Sequence, residues 1–339
     1  MDRAIQHVRA ALTFDTVLFF GLFLTLFLAT LFQWFQFPPL PANDDALFLS
    51  RGVGNYSVVE FSPHFPGYAG LVLGVKALRG LFSNDYQALH TVVLCMTALI
   101  PVVVSLILKV LQVKHWVILA VAAILYAQPL LISVALSGLS DGPGLLVWLI
   151  ALLLFLTRKP TFSALFLGIM LTVRPSYLFL FLPLFAILIW QHKRQLIPIL
   201  LSIALPPLLA LIYMYSKDGV ALFDEAFRFI RGHFLVWGNT TLTETREATW
   251  WHALTDYVGG VWFIGAWFIG AWFIGAWFIG AWFIGTWVLI SSGVVWVKKR
   301  NARSLVISFI SILLWTLLFQ NPDNLRHSLP IIVLGSMVL

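Results

Sequence analysis

The chain has 339 residues, of which 60% are hydrophobic and only 10% charged, with a mean hydropathy of +0.94. A soluble domain carries about 25% charge, and a soluble fold of this length has too little interior for so much apolar surface. Composition therefore predicts an all-α, polytopic transmembrane helical bundle. The net charge of +7 does not indicate nucleic acid, because the basic residues sit in short clusters between apolar runs, where they set topology. The one cysteine, Cys95, excludes a disulfide framework and a thiol-ligand metal site.

In chain order, residues 1–13 are polar and carry Arg3 and Arg9, so they are expected to stay cytoplasmic. The first span covers residues 14–35 and lacks a small-residue cleavage site, so it is expected to be retained. A first outer loop, 36–88, follows. It opens with PPLPANDDALFLSRG and continues to FSPHFPGY, then to a moderately apolar stretch, 67–82, broken by Lys76 and Arg79. That stretch is expected to lie as a helix at the outer interface. Adjacent carboxylates, Asp44 and Asp45, stand a few residues beyond the first span. Ionisable groups close to hydrocarbon are costly, which marks them as a candidate site. The same residues also suit a turn or a helix cap.

Further spans are predicted at 89–108, 116–136, 145–156, 162–173, 177–190 and 196–215. Lys109 and Lys114, Arg158 and Lys159, and Lys193 and Arg194 punctuate them on the inner side. Asp141 falls in an outer turn, SGLSDGPG, where it suits either a cap or a substrate contact. Arg174-Pro175 ends a short span on the outer side. Residues 216–257 form a second outer loop with an amphipathic helix near 223–234. The basic cluster Lys298, Lys299, Arg300 and Arg303 is inside again. A span at 304–319, the outer turn QNPDNLRH, and a final span from Ser328 bring the total to about ten.

One segment breaks this arithmetic. Residues 262–286 repeat WFIGA, with Trp262, Trp267, Trp272, Trp277 and Trp282 five apart, inside an apolar stretch running from 258 to 297. As one helix that stretch would be about 60 Å long, against a hydrocarbon core of about 30 Å. Two crossings would place the basic cluster at 298–303 outside. A tandem duplication within one ordinary span, crossing an odd number of times, fits both constraints. Five residues advance a helix by about 140°, so the tryptophans share no face.

The pattern as a whole resembles the GT-C superfamily of membrane glycosyltransferases, in particular the protein O-mannosyltransferase and aminoarabinose-transferase-like group. The resemblance rests on Asp44-Asp45-Ala46 after the first span, Pro63-His64-Phe65-Pro66-Gly67-Tyr68, Ser140-Asp141, Arg174-Pro175, Asn321-Pro322 and Arg326-His327-Ser328-Leu329-Pro330. It covers residues 1 to about 215 and resumes at 298. The repeat is foreign to the family pattern, which also continues into further spans or a C-terminal domain.

The resemblance implies a single transmembrane domain over 1–339. It implies transfer of a sugar from a dolichyl- or undecaprenyl-phosphate donor to an acceptor hydroxyl at the outer, periplasmic face of a bacterial inner membrane. The acceptor would be a glycan, lipid or protein. Asp44 would be the general base by position, with Asp45 second. Arg174, then Arg326, would hold the donor phosphate, although Arg174 also suits an interface anchor. His64 and Asp141 would contact substrate. No cofactor is implied, and a divalent metal stays open. A transporter or flippase of lipid-linked sugars, or an inactive membrane scaffold, are the competing classes. A transporter should show charged or Gly/Pro-broken sites near the midplane, and no ionisable residue falls near the middle of the spans before 216.

Overall fold

The computed structural model describes residues 2–41, 43–236, 303–320 and 325–338. The WFIGA repeat, residues 237–257 of the second outer loop, Asn321 and Pro322 lie outside the described residues. Those described form helices and no strands, joined by short turns.

The order is α1 (Asp2–Trp34), α2 (Asp44–Gly54), α3 (Ala69–Leu78), α4 (Asp85–Ala98), α5 (Ile100–Val110), α6 (His115–Tyr126) and α7 (Pro129–Leu136). Then come α8 (Asp141–Leu156), α9 (Pro160–Val173), α10 (Leu178–Gln191), α11 (Leu196–Asp218), α12 (Ala221–Val236), α13 (Arg303–Phe319) and α14 (Leu329–Val338). Every predicted span that falls on described residues is helical. The first loop holds more helix than the sequence suggested. Asn43 caps α2 by accepting from the Ala46 amide at 3.2 Å, and Asp44 and Asp45 occupy its first turn, the end where the helix dipole favours negative charge.

The expectation of about ten crossings is reduced by helix length. Among the described residues, two helices are long and apolar enough to cross a membrane, Asp85–Val110 and Lys193–Asp218. A third crossing is formed if α6 and α7, bent by 57°, count as one. The bend has a local cause: Pro129 opens α7 and has no amide hydrogen to continue the α6 ladder. The Gln128 side chain accepts from Leu130 instead. Leu18–Trp34, α8, α9, Pro175–Gln191 and Arg303–Leu318 are apolar but shorter. A 14-residue helix such as α9 spans only about 21 Å.

α8 is the centre of the bundle. Its residues from Asp141 to Leu149 are all buried, and it packs on α9 and α5. Ser163 Oγ of α9 donates to the Ala151 carbonyl at 2.8 Å, and Trp148 Nε1 donates to the Leu180 carbonyl at 2.9 Å. These bonds satisfy polar groups that would be costly if left unpaired in an apolar interior. α9 also packs on α11. Gly168 permits that approach, since a Cβ there would sit 2.4 Å from the Ile203 carbonyl oxygen. α3 was expected to lie at an interface. It buries Ala69, Leu71, Val72 and Val75 against α2, α4, α9 and α11.

α8 and α9 run antiparallel. The start of α8, the end of α9, the start of α2 and the 3-10 turn Leu325–Ser328 therefore meet at one end of the bundle. Arg158 and Lys159 lie between α8 and α9 at the other end.

Candidate functional site

Five of the six sequence-predicted side chains converge at that end. Asp45, at the start of α2, faces Arg326 of the 325–328 turn at 3.1 Å and His64 Nδ1 at 3.8 Å. Asp141, at the start of α8, meets Arg174 just beyond α9 at 2.8 Å. Arg174 also donates to Ser140 Oγ at 3.0 Å and lies 3.4 Å from His327 Nδ1. His327 in turn lies 3.7 Å from Asp141. Because Arg326 and His327 are consecutive, the two ion pairs form one continuous cluster. Asp44 does not join it. It is exposed and has no hydrogen bond or ion pair among the described residues.

The two pairs differ in access. The Asp141 side chain is fully buried and that of Arg174 is 7% exposed. The Asp45 and Arg326 side chains are 39% and 21% exposed. Arg174–Asp141 is thus an interior pair, and Arg326–Asp45 stands at the opening. Of the residues ranked from sequence, Asp45, Arg174 and Arg326 lie in the cluster and Asp44 lies outside it.

Glycine and backbone conformation shape the site. A Cβ on Gly144 would lie 2.4 Å from Arg174 Cβ, so the first turn of α8 must be bare there for Arg174 to reach Asp141. His64 is held on a loop fastened to the end of α11. Ser57 Oγ donates to Asp218 at 2.6 Å and the Val58 amide donates to its other oxygen at 2.7 Å. In the same loop Phe61 and Tyr68 adopt positive φ, +54° and +45°, a costly conformation for aromatic residues that concentrates at functional sites. Tyr68 is the cap residue of α3, and its ring packs edge-on to His64 at 5.4 Å.

Two carboxylates and two guanidiniums leave the cluster near neutrality. His327 adds no charge at neutral pH. Its pKa is lowered to about 4, first by burial, with Arg174 and Arg326 acting in the same direction against the pull of Asp141 and Asp45. Tyr68 is held protonated, first by burial, with Asp45 and Asp141 acting in the same direction. Burial is the largest influence and disfavours the charge on Arg174, but Asp141, Tyr68, Tyr177 and Asp45 together outweigh it and the guanidinium stays charged. Arg174 Nε and Arg326 Nε are buried donors with no hydrogen-bond acceptor among the described residues. A buried unpaired donor is costly, and two aimed into one charged cluster suit an anion with several oxygens.

An apolar cavity of about 340 Å³ adjoins the cluster. Phe65, Ala69, Pro175, Pro207, Met214 and Leu222 are among its walls. Three of these, Phe65, Ala69 and Pro175, directly follow His64, Tyr68 and Arg174 in sequence, while the charged side chains themselves are not among the lining residues. No group of three or more His, Cys, Asp or Glu side chains suited to a metal occurs among the described residues.

Tyr68, Ser140, Tyr177 and His327 were not singled out as site residues from sequence. Tyr177 donates to the Asp141 carbonyl at 3.1 Å. Their adjacency to Asp141, Arg174 and Arg326 in HFPGY, SD, RPSY and RHS was the available signal. Compared with known protein families and with curated proteins, the chain matches none.

Proposed function

We propose that this chain is a membrane-embedded glycosyltransferase of GT-C type, which moves a sugar from a polyprenyl-phosphate donor to an acceptor hydroxyl. The observation that carries the reading is the meeting of Asp45, His64, Asp141, Arg174 and Arg326, distant in sequence, in one cluster beside an apolar cavity. Charged groups next in sequence to the walls of an apolar chamber suit a lipid phosphate with its tail.

In the proposed mechanism Asp45 is the general base. Its carboxylate takes the acceptor proton as the acceptor oxygen bonds to the anomeric carbon. The bond from that carbon to the phosphate oxygen breaks, and its electron pair leaves with the lipid phosphate. Arg326 stabilises that charge through Nε and its terminal nitrogens. To do so it must turn from Asp45 to the phosphate, which frees the Asp45 oxygens for the acceptor. Asp141 holds Arg174 in position behind Arg326, and the start of the tail occupies the cavity. The basic residues at the opposite helix ends favour the inner side of a bacterial membrane. On this reading the N-terminus is cytoplasmic and the site faces outward.

The test is turnover of radiolabelled polyprenyl-phosphate sugars by the protein in nanodiscs, with Asp45→Asn and Asp44→Asn beside it. Turnover lost in Asp45→Asn and kept in Asp44→Asn supports the assignment. Turnover kept in both removes the catalytic reading.

A further inference from the structure

α12 carries two apolar stripes that point in different directions. One is inward. Leu222 and Glu225 are buried, Ala226 and Phe229 are half-buried, and Leu222 and Ala226 wall the cavity. Phe229 packs against Phe65 at 5.3 Å and stacks on His64 at 6.3 Å. The other stripe faces out. Phe223, Phe227 and Ile230 are 50%, 68% and 59% exposed, and they recur at the spacing of one helical face. Between the stripes stand Asp224, Arg228 and Arg231, all exposed. Large apolar residues rarely line a water-exposed stripe, which marks a contact surface.

Position indicates what covers it. α12 begins three residues after the end of α11, at a break where Gly219 takes a φ of +58°. α11 is one of the two helices of full crossing length, and its Ile197, Leu201, Leu208, Leu209 and Ile212 are exposed. At the junction Tyr215 of α11 packs against Phe223 of α12, with ring centroids 6.0 Å apart. The exposed apolar surfaces of the two helices therefore meet at the Tyr215–Phe223 contact. A helix leaving the end of a span, with an aromatic outer stripe and flanking arginines, has the composition of one that lies in the headgroup boundary.

We infer that α12 lies in the headgroup–acyl boundary of the bilayer. Phe223, Phe227 and Ile230 sit in lipid while the opposite stripe closes the cavity and covers His64. The inference rests on the membrane reading given above. It makes α12 the wall that a lipid donor must pass between bilayer and site.

The test uses the full chain with Cys95→Ala, in nanodiscs containing anionic lipid. Nitroxide labels are placed by Phe227→Cys, Ile230→Cys, Arg228→Cys, Arg231→Cys and Leu222→Cys, with Leu208→Cys on α11 as reference. Collision with oxygen and with a water-soluble nickel chelate is then compared. Labels at 227 and 230 should favour oxygen several-fold, as at 208, while those at 228 and 231 favour nickel and 222 meets neither. Phe223→Cys replaces Phe227→Cys if that variant fails to fold. Equal nickel access at 227 and 228, with 208 shielded, overturns the placement of α12 alone. Labels at 227 and 230 shielded from both agents show protein there, another segment or a second copy, and overturn it too. Nickel access at 208 overturns the membrane reading and the proposal with it.

Discussion

Replacing Arg174 by Met should be among the most damaging single changes in this protein. The substitution keeps an aliphatic stem of similar length and removes the charge, so it leaves Asp141, which is fully buried, without its cation. At 2.8 Å and an effective dielectric of about 20, the lost attraction is about 6 kcal/mol. Part of it is recovered because Arg174 no longer bears its own desolvation, and measured losses for breaking one side of a buried pair run about 3–5 kcal/mol. Asp141→Asn strands the guanidinium instead and should cost a similar amount. The double variant Asp141→Asn with Arg174→Met strands neither and should regain most of the loss. Reversible unfolding in mixed micelles, read as a double-mutant cycle, gives the coupling directly. A coupling under about 1 kcal/mol would mean that water or another group already screens the pair, and that the interior assignment of Arg174 is wrong.

Gly144→Ala should lower stability by about 1–3 kcal/mol, because the new methyl group meets Arg174 Cβ at 2.4 Å; at an ordinary interior helix site alanine would be favourable. Chemical denaturation of the single variant measures it. His327 titrates from 6.5 in the unfolded chain but near 4 when folded. Its contribution is therefore complete above pH 6.5 and is lost as pH falls toward 4, by roughly 3 kcal/mol. His327→Gln should flatten that part of a stability–pH curve. Asp45→Asn should reduce turnover by about 10²–10⁴, with Asp44→Asn within a few-fold of wild type. Arg326→Ala should raise the donor KM more than the acceptor KM, which steady-state kinetics with each substrate varied would show.

Much of the framework was legible in the sequence because apolar runs and basic punctuation are local properties. Helix ends at Asp141, Arg174 and Asp218 lie within a few residues of their predicted places. The count of full crossings was not, since periodicity does not reveal that α8, α9 and α10 are short pieces packed within a bundle. Which of Asp44 and Asp45 meets Arg326 depends on helical register that the sequence contained but linear position obscured. With Asn43 as the cap, Ala46, Leu49 and Val53 form the buried face of α2. Asp45 lies one turn before Leu49 and borders that face, while Asp44 points away. His327 was illegible as a site member for a different reason: its role depends on burial between Asp141 and Arg174, more than 150 positions upstream.

The contact between Asp45 and Arg326 joins residues 281 positions apart, and this bears on how the protein is made. Asp45, His64, Asp141 and Arg174 all lie in the first portion to leave the ribosome, while Arg326 and His327 arrive near the end. Through most of synthesis the carboxylate of Asp45 has no arginine beside it. A ribosome-bound chain halted before residue 325 is thus a natural version of the Arg326 deletion, with the opening of the cluster unfinished. Supplying the late segment as a separate polypeptide in the same membrane should complete it.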